Sequence, residues 1–240
     1  MAEPAAAPIR LWAMPVHKLK EADVAKWRDV LDDAERARAA RFAFARNRVE
    51  YVAAHALARR LLSEVTGAAP DAFRYLAGPK GKPAALVGGR PAGVHFNLSH
   101  TNGMVAIAVS PGGELGLDTE AIDRRVDLAV ADRYFFGAES RWLAELPTER
   151  RAEGFLRLWT LKEAYIKATG LGLSQPLDEF WFEVDPPRIR FTPAIADDER
   201  AWRFEQRVLA GRFLVALGWR APDGDPPVAV ELLEPADLSF

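Results

Sequence analysis

The chain has 240 residues, of which 49% are hydrophobic and 28% charged, with a formal net charge of −2 and a pI near 6.1. That length lies between one large domain and two small ones, and the composition suits a globular protein with a sizeable core. There is no global positive field for nucleic acid or an anionic membrane and no apolar run of the ~18 residues a membrane span needs, and the absence of cysteine excludes disulfides, thiolate catalysis, iron–sulfur clusters and cysteine-type zinc sites.

The opening MAEPAAAP lacks the basic and apolar regions of a secretory signal, so a cytoplasmic location is expected. Ile9 to Val16 is apolar and bounded by prolines, which predicts an opening strand. Glu21 to Leu31 reads as a short amphipathic helix, with Val24, Trp27 and Leu31 at helical spacing. Asp32 and Asp33 can cap a second helical stretch that runs, with breaks, to Thr66 and stops at Gly67. It carries Arg36, Arg38, Arg41, Arg46 and Arg48, then Arg59 and Arg60. Most of these are read as a solvated basic face, with one or two turned to a phosphate.

The loop GPKGKP, Gly78 to Pro83, reads by itself as a surface turn. Residues 94–109 predict a hairpin, because two β-prone runs flank Thr101-Asn102-Gly103. From Asp127 a short helix reaches about Phe136, another starts at Ala138, and a longer one runs from about Glu149 to Thr169, closed by Gly170 and Gly172. Strands are expected at 180–184, 188–191, 202–209 and 213–219, then a turn and a last short strand at Val228–Leu233. The stretches from Phe96 and Phe204 echo each other, with a Phe, a Gly seven residues on, and an apolar strand. Both halves run helix, strand, hairpin, so the expected fold is α+β, built from a duplicated α/β unit.

The chemistry-bearing residues fall in two stretches. In GLDTE, Asp118 and Glu120 share one face of a strand while Thr119 points away. In WTLKEAYIK, Glu163 and Lys167 lie one helical turn apart. The tripeptide alone fits an exposed acidic edge equally well, and the Glu–Lys spacing is also that of a surface ion pair. However, the helix is apolar around most of its circumference, with Glu163 beside Trp159 and Ile166, a poor place for an idle carboxylate. Three carboxylates suit magnesium holding a diphosphate, and a nearby lysine would neutralise a leaving phosphate. With no Walker A loop and no GxGxxG, phosphate binding falls to residues such as Lys80, Lys82 or Arg46. His17 and His55 are read as structural. His95 and His100 fall on opposite strand faces, which argues against a shared metal.

Together, GKP at Gly81 to Pro83, FNLSH at Phe96 to His100, GLDTE, WTLKEAYIK and the following GLGLSQPL resemble the phosphopantetheinyl transferases of the Sfp type, in that family's order over about residues 36 to 182. RFAFAR at Arg41 to Arg46 supports the match. The resemblance implies a pseudo-twofold fold of two similar halves, divided here as 1–112 and 113–240, with coenzyme A and Mg2+ in the cleft between them. It implies transfer of phosphopantetheine from coenzyme A to a serine of an acyl or peptidyl carrier protein, releasing adenosine 3′,5′-bisphosphate. By position, Asp118, Glu120 and Glu163 would hold the metal, and Glu163 would deprotonate the serine, directly or through water. Lys167 would stabilise the diphosphate and leaving group. Ser99, His100 and Arg46 would contact the 3′-phosphate region, and Gly81, Lys82 and Pro83 the adenine–phosphate portion. Thr119 stands where family members often carry an aliphatic residue, and Glu35 lies near the position expected to be basic, with Arg36 and Arg38 as neighbours, so contacts from that helix stay unassigned. A monomer is expected, since one chain completes the cleft. The rival readings are a Mg2+-dependent hydrolase of coenzyme A or a related nucleotide diphosphate, and a non-catalytic coenzyme A-binding module.

Overall fold

A computed structural model describes residues 7–78, 81–221 and 224–240, with the backbone alone at Leu173. Lys80, one of the expected phosphate binders, lies outside the described residues. The chain divides into two compact units, one made of Met1–Gly112 with Pro226–Phe240, the other of Gly113–Asp225.

The first unit opens with β1 (Ile9–Pro15) and a single turn of helix, α1 (Glu21–Val24), which tightens into a 3-10 stretch over Ala25–Val30. The expected continuous helix is thus broken, and the three-residue period keeps Val24 and Trp27 on one buried face. Asp32 caps α2 (Asp33–Ala40) reciprocally: its carboxylate accepts from the Glu35 N–H at 2.9 Å, and Glu35 accepts from the Asp32 N–H at 2.8 Å. The long α3 (Ala45–Thr66) ends at Gly67, whose φ of 76° is the left-handed setting that closes a helix cheaply only at glycine.

A meander follows, β2 (Phe73–Ala77), β3 (Pro83–Val87) and β4 (Arg90–Pro91), that the sequence reading did not foresee. Then β5 (His95–Thr101) and β6 (Met104–Ser110) form the hairpin expected at Asn102-Gly103, with Thr101 opposite Met104. β1 pairs antiparallel with the other edge of β6, and α3 packs on β6 and β5. Leu57, Leu61, Trp27, Met14 and Ile107 lie in the resulting core.

The second unit opens with β7 (Leu115–Ala121), followed by α4 (Ala129–Tyr134), α5 (Gly137–Glu145) and α6 (Thr148–Thr169). The hairpins β8 (Phe180–Val184) with β9 (Pro187–Phe191) and β10 (Trp202–Leu209) with β11 (Phe213–Arg220) complete it. Its sheet runs β10-β11-β7, all antiparallel, with α6 packed on β7 and β11. Rings fill the core edge to face, Phe182 on Phe204 at 4.8 Å and Tyr165 on Trp202 at 5.1 Å.

Each unit therefore has the same order: an opening strand, a long helix, two successive antiparallel strand pairs, and a sheet in which the opening strand lies beside the last strand of the second pair. This agrees with the duplication read from the sequence. The tail departs from the expected division. β12 (Val228–Leu232) pairs parallel with β1, Ile9 opposite Val228, and Trp27 Nε1 donates to the Leu238 carbonyl at 3.2 Å, so residues 226–240 pack with the first unit. Among the described residues no helix is long and apolar enough to cross a membrane.

Candidate active site

α6 is buried on nearly every side in its second half: Leu158, Thr160, Leu161, Lys162, Ala164, Tyr165, Ile166 and Ala168 are all inside. Among the less buried positions there, Trp159, Glu163 and Lys167 are spaced four residues apart and so form one stripe. That stripe is where the expected charged residues stand.

Gly116 sets how β7 meets this helix. A Cβ on Gly116 would sit 2.0 Å from the Ala164 carbonyl oxygen and 2.4 Å from the Ala168 nitrogen, both backbone atoms. Strand and helix thus touch main chain to main chain, which only glycine permits. Two residues on, and on the same face by strand alternation, Asp118 Oδ1 accepts from Lys167 Nζ at 2.6 Å. Glu120, next on that face, is held by the Arg124 guanidinium, a contact the sequence reading missed. Its i,i+4 spacing across a strand end offers no motif to find it by.

Glu163 feels three of these groups, Asp118, Lys167 and Glu120. Burial pushes its carboxyl above the ordinary range, the Asp118 and Glu120 carboxylates add to the push, and Lys167 opposes it. The oxygen-only donors suit a hard divalent cation, whose charge would relieve the same repulsion that raises Glu163. Two of the three carboxylates already face cations of the chain itself, and among the described residues no group of three or more His, Asp or Glu side chains is arranged at metal-holding range. A hollow of about 730 Å3 elsewhere in this unit is lined by Tyr165, Gln175, Asp197 and Arg220 and includes none of these residues. Asp197 there is engaged by Tyr165, Trp202 and Arg220, a structural role.

The remaining candidates belong to the first unit. Ser99 is buried on β5 opposite Ala106, and His100 is exposed opposite Val105. Arg46 is exposed in the first turn of α3. Gly81, at φ 90°, donates its N–H to the Gly78 carbonyl at 2.9 Å, so Gly81, Lys82 and Pro83 close the β2–β3 hairpin.

Glu35 points inward. It receives Arg59 Nη2 at 2.6 Å and lies 2.6 Å from His55 Nδ1, and these partners hold its carboxyl below the ordinary range against the opposing effect of burial, the largest single influence. Arg59, read as part of a solvated face, is fully buried, because its guanidinium also reaches the Pro70 carbonyl and Asp32 and joins α2 to α3. His55 is structural, as expected.

Residues 114–218 match the 4′-phosphopantetheinyl transferase superfamily, and residues 19–112 match the N-terminal family of 4′-phosphopantetheinyl transferases. The 4′-phosphopantetheinyl transferase HetI of a Nostoc strain is 31% identical over 88% of this chain and 90% of its own length. A putative 4′-phosphopantetheinyl transferase of Synechocystis is 28% identical over 79% of each chain. Among solved structures, the holo-[acyl-carrier-protein] synthase of Thermotoga maritima overlaps 45% of this chain and 62% of its own at 24% identity with a TM-score of 0.37, too slight to bear on the fold. With the HetI match spanning nearly the whole of both chains, this chain belongs to the 4′-phosphopantetheinyl transferase family.

Proposed function

We propose that this protein transfers 4′-phosphopantetheine from coenzyme A to a serine hydroxyl of an acyl or peptidyl carrier protein, in a Mg2+-dependent reaction that releases adenosine 3′,5′-bisphosphate. The observation that carries this reading is the Asp118–Lys167 contact at 2.6 Å beside Glu163, whose carboxyl is raised by burial and by Asp118 and Glu120. Relatives bearing the name 4′-phosphopantetheinyl transferase along most of the chain support it.

Asp118, Glu120 and Glu163 would hold the metal, which when bound supplies positive charge for the diphosphate oxygens. Glu163 accepts the proton of the serine Oγ, directly or through one water. The serine oxygen forms a bond to the phosphorus that bears pantetheine. The bond from that phosphorus to the bridging oxygen breaks, and the bisphosphate leaves with the electron pair, its charge met by Lys167. Ser99, His100 and Arg46 are proposed to hold the 3′-phosphate region, and Gly81, Lys82 and Pro83 the adenine–phosphate portion. The protein is read as a cytoplasmic monomer.

Intact mass spectrometry of an apo carrier incubated with this protein and coenzyme A, with and without Mg2+, tests the reading. The expected result is a gain of one phosphopantetheine that requires both the metal and the carrier serine. Coenzyme A breakdown without carrier loading would mean a hydrolase. Intact coenzyme A with several carriers unchanged would mean a binding module.

A further inference from the structure

The helix that carries Glu163 and Lys167 holds another charge, on its inner side. Lys162 is fully buried, and Nζ donates to Glu139 Oε2 at 2.8 Å, to the Leu177 carbonyl at 2.8 Å and to the Phe180 carbonyl at 2.7 Å. An ammonium has three donors, and all are used. Glu139 is buried too. Its Oε1 accepts the Phe182 N–H at 2.9 Å and its Oε2 the Phe136 N–H at 3.2 Å. The rings of Phe180 and Phe135 lie 4.3 and 5.0 Å from Nζ.

Burial pushes the Glu139 carboxyl up and the Lys162 ammonium down, each opposed by the other's charge. The attraction between the two charges adds little stability by itself, because desolvation consumes most of it. Its directional bonds supply something else. An ammonium bonded in three directions fixes the azimuth of the helix that carries it. Lys162 directly precedes Glu163, so one residue's turn of about 100° separates the inner anchor from the outer stripe.

We propose that Glu139 and Lys162 are positioning residues: their buried pair pins α6 to α5, β8 and the segment before β8 in one rotational setting, and so fixes where Glu163 and Lys167 stand against Asp118. The significance of that setting rests on the transfer reading above, and the test separates the two.

The test uses the full chain and the double variant Glu139→Leu/Lys162→Met, which removes both charges together and keeps the site apolar. Three quantities are compared with the parent: thermal melting, Mn2+ affinity read from free Mn2+ by electron paramagnetic resonance, and steady-state transfer to an apo carrier. Expected are a lower melting temperature, because the Leu177 and Phe180 carbonyls and the Phe136 and Phe182 N–H groups lose these partners, Mn2+ affinity lower by about 10-fold or more at a temperature where the variant is folded, and kcat lower by about 100-fold with carrier KM unchanged. A folded variant with parental Mn2+ affinity overturns the proposal whatever its turnover, and so does a parent that binds no Mn2+. A parent that binds Mn2+ but loads no carrier sinks the transfer reading alone, and the Mn2+ comparison still decides the positioning. Should the double variant fail to fold, Glu139→Asp, which keeps both charges but draws the carboxylate back by one methylene, is expected to lower Mn2+ affinity, and parental affinity there overturns the proposal.

Discussion

Glu163 stands among groups that pull on its proton in opposite directions, with burial, Asp118 and Glu120 holding the proton on and Lys167 drawing it off. The sum is a carboxyl that ionises less readily in the fold than in the unfolded chain. By linkage, its ionisation opposes folding: the cost is absent below the ordinary carboxyl pKa, grows as pH rises through the raised value, and is constant above it. Glu163→Gln is therefore expected to melt at or above the parent near neutral pH without divalent metal, with the difference closing toward acid pH. The same variant should lose transfer by about 10²–10⁴-fold, the usual contribution of a general base. Melting curves across pH and carrier-loading rates check the two halves. A lower melting point near neutral pH would mean that the Lys167 attraction outweighs burial and repulsion.

Between elements, the decisive contact is Gly116 of β7 against the α6 backbone. Here the added methyl of Gly116→Ala has only main chain to press on, so strand and helix must separate. The expected cost is about 1–3 kcal/mol or more, typical of overpacking, and the Asp118–Lys167 pair should loosen with it. Denaturant unfolding measures the first effect and carrier loading the second. A variant with parental stability and activity would show that α6 can lift from β7 freely. Contacts of this kind also explain what could be read beforehand. Asp118, Glu120, Glu163 and Lys167 were legible because strand and helix periods place them, and the Asn102-Gly103 turn and the glycines that end α3 and α6 are local signals. Arg59 with Glu35 and Lys162 with Glu139 were not, since each joins residues more than a helix apart through burial that no local period encodes. The β2–β3 pair was hidden by the glycines and prolines of its own loop and by the short mixed strands on either side.

At the scale of the whole molecule, the first unit depends on residues from both sides of the second. Removing 226–240 takes away the β1–β12 pairing and the Trp27–Leu238 hydrogen bond. Amide hydrogen exchange is expected to accelerate across β1 and the Trp27 region while β7, β10 and β11 keep their protection. Comparison of truncated and full chains by mass spectrometry checks this, and equal loss in both units would mean that they open together.

The return of β12 to β1 also has a consequence during synthesis. When β1 leaves the ribosome, its partner strand lies beyond Gly113–Asp225, which must be translated first. At typical elongation rates that interval is on the order of ten seconds. Throughout it one edge of β1 offers its unpaired amides and carbonyls to any neighbouring nascent chain. The second unit is continuous in sequence and waits for no later segment. Crowded translation on one message is thus the circumstance in which this protein is most exposed to pairing with a copy of itself.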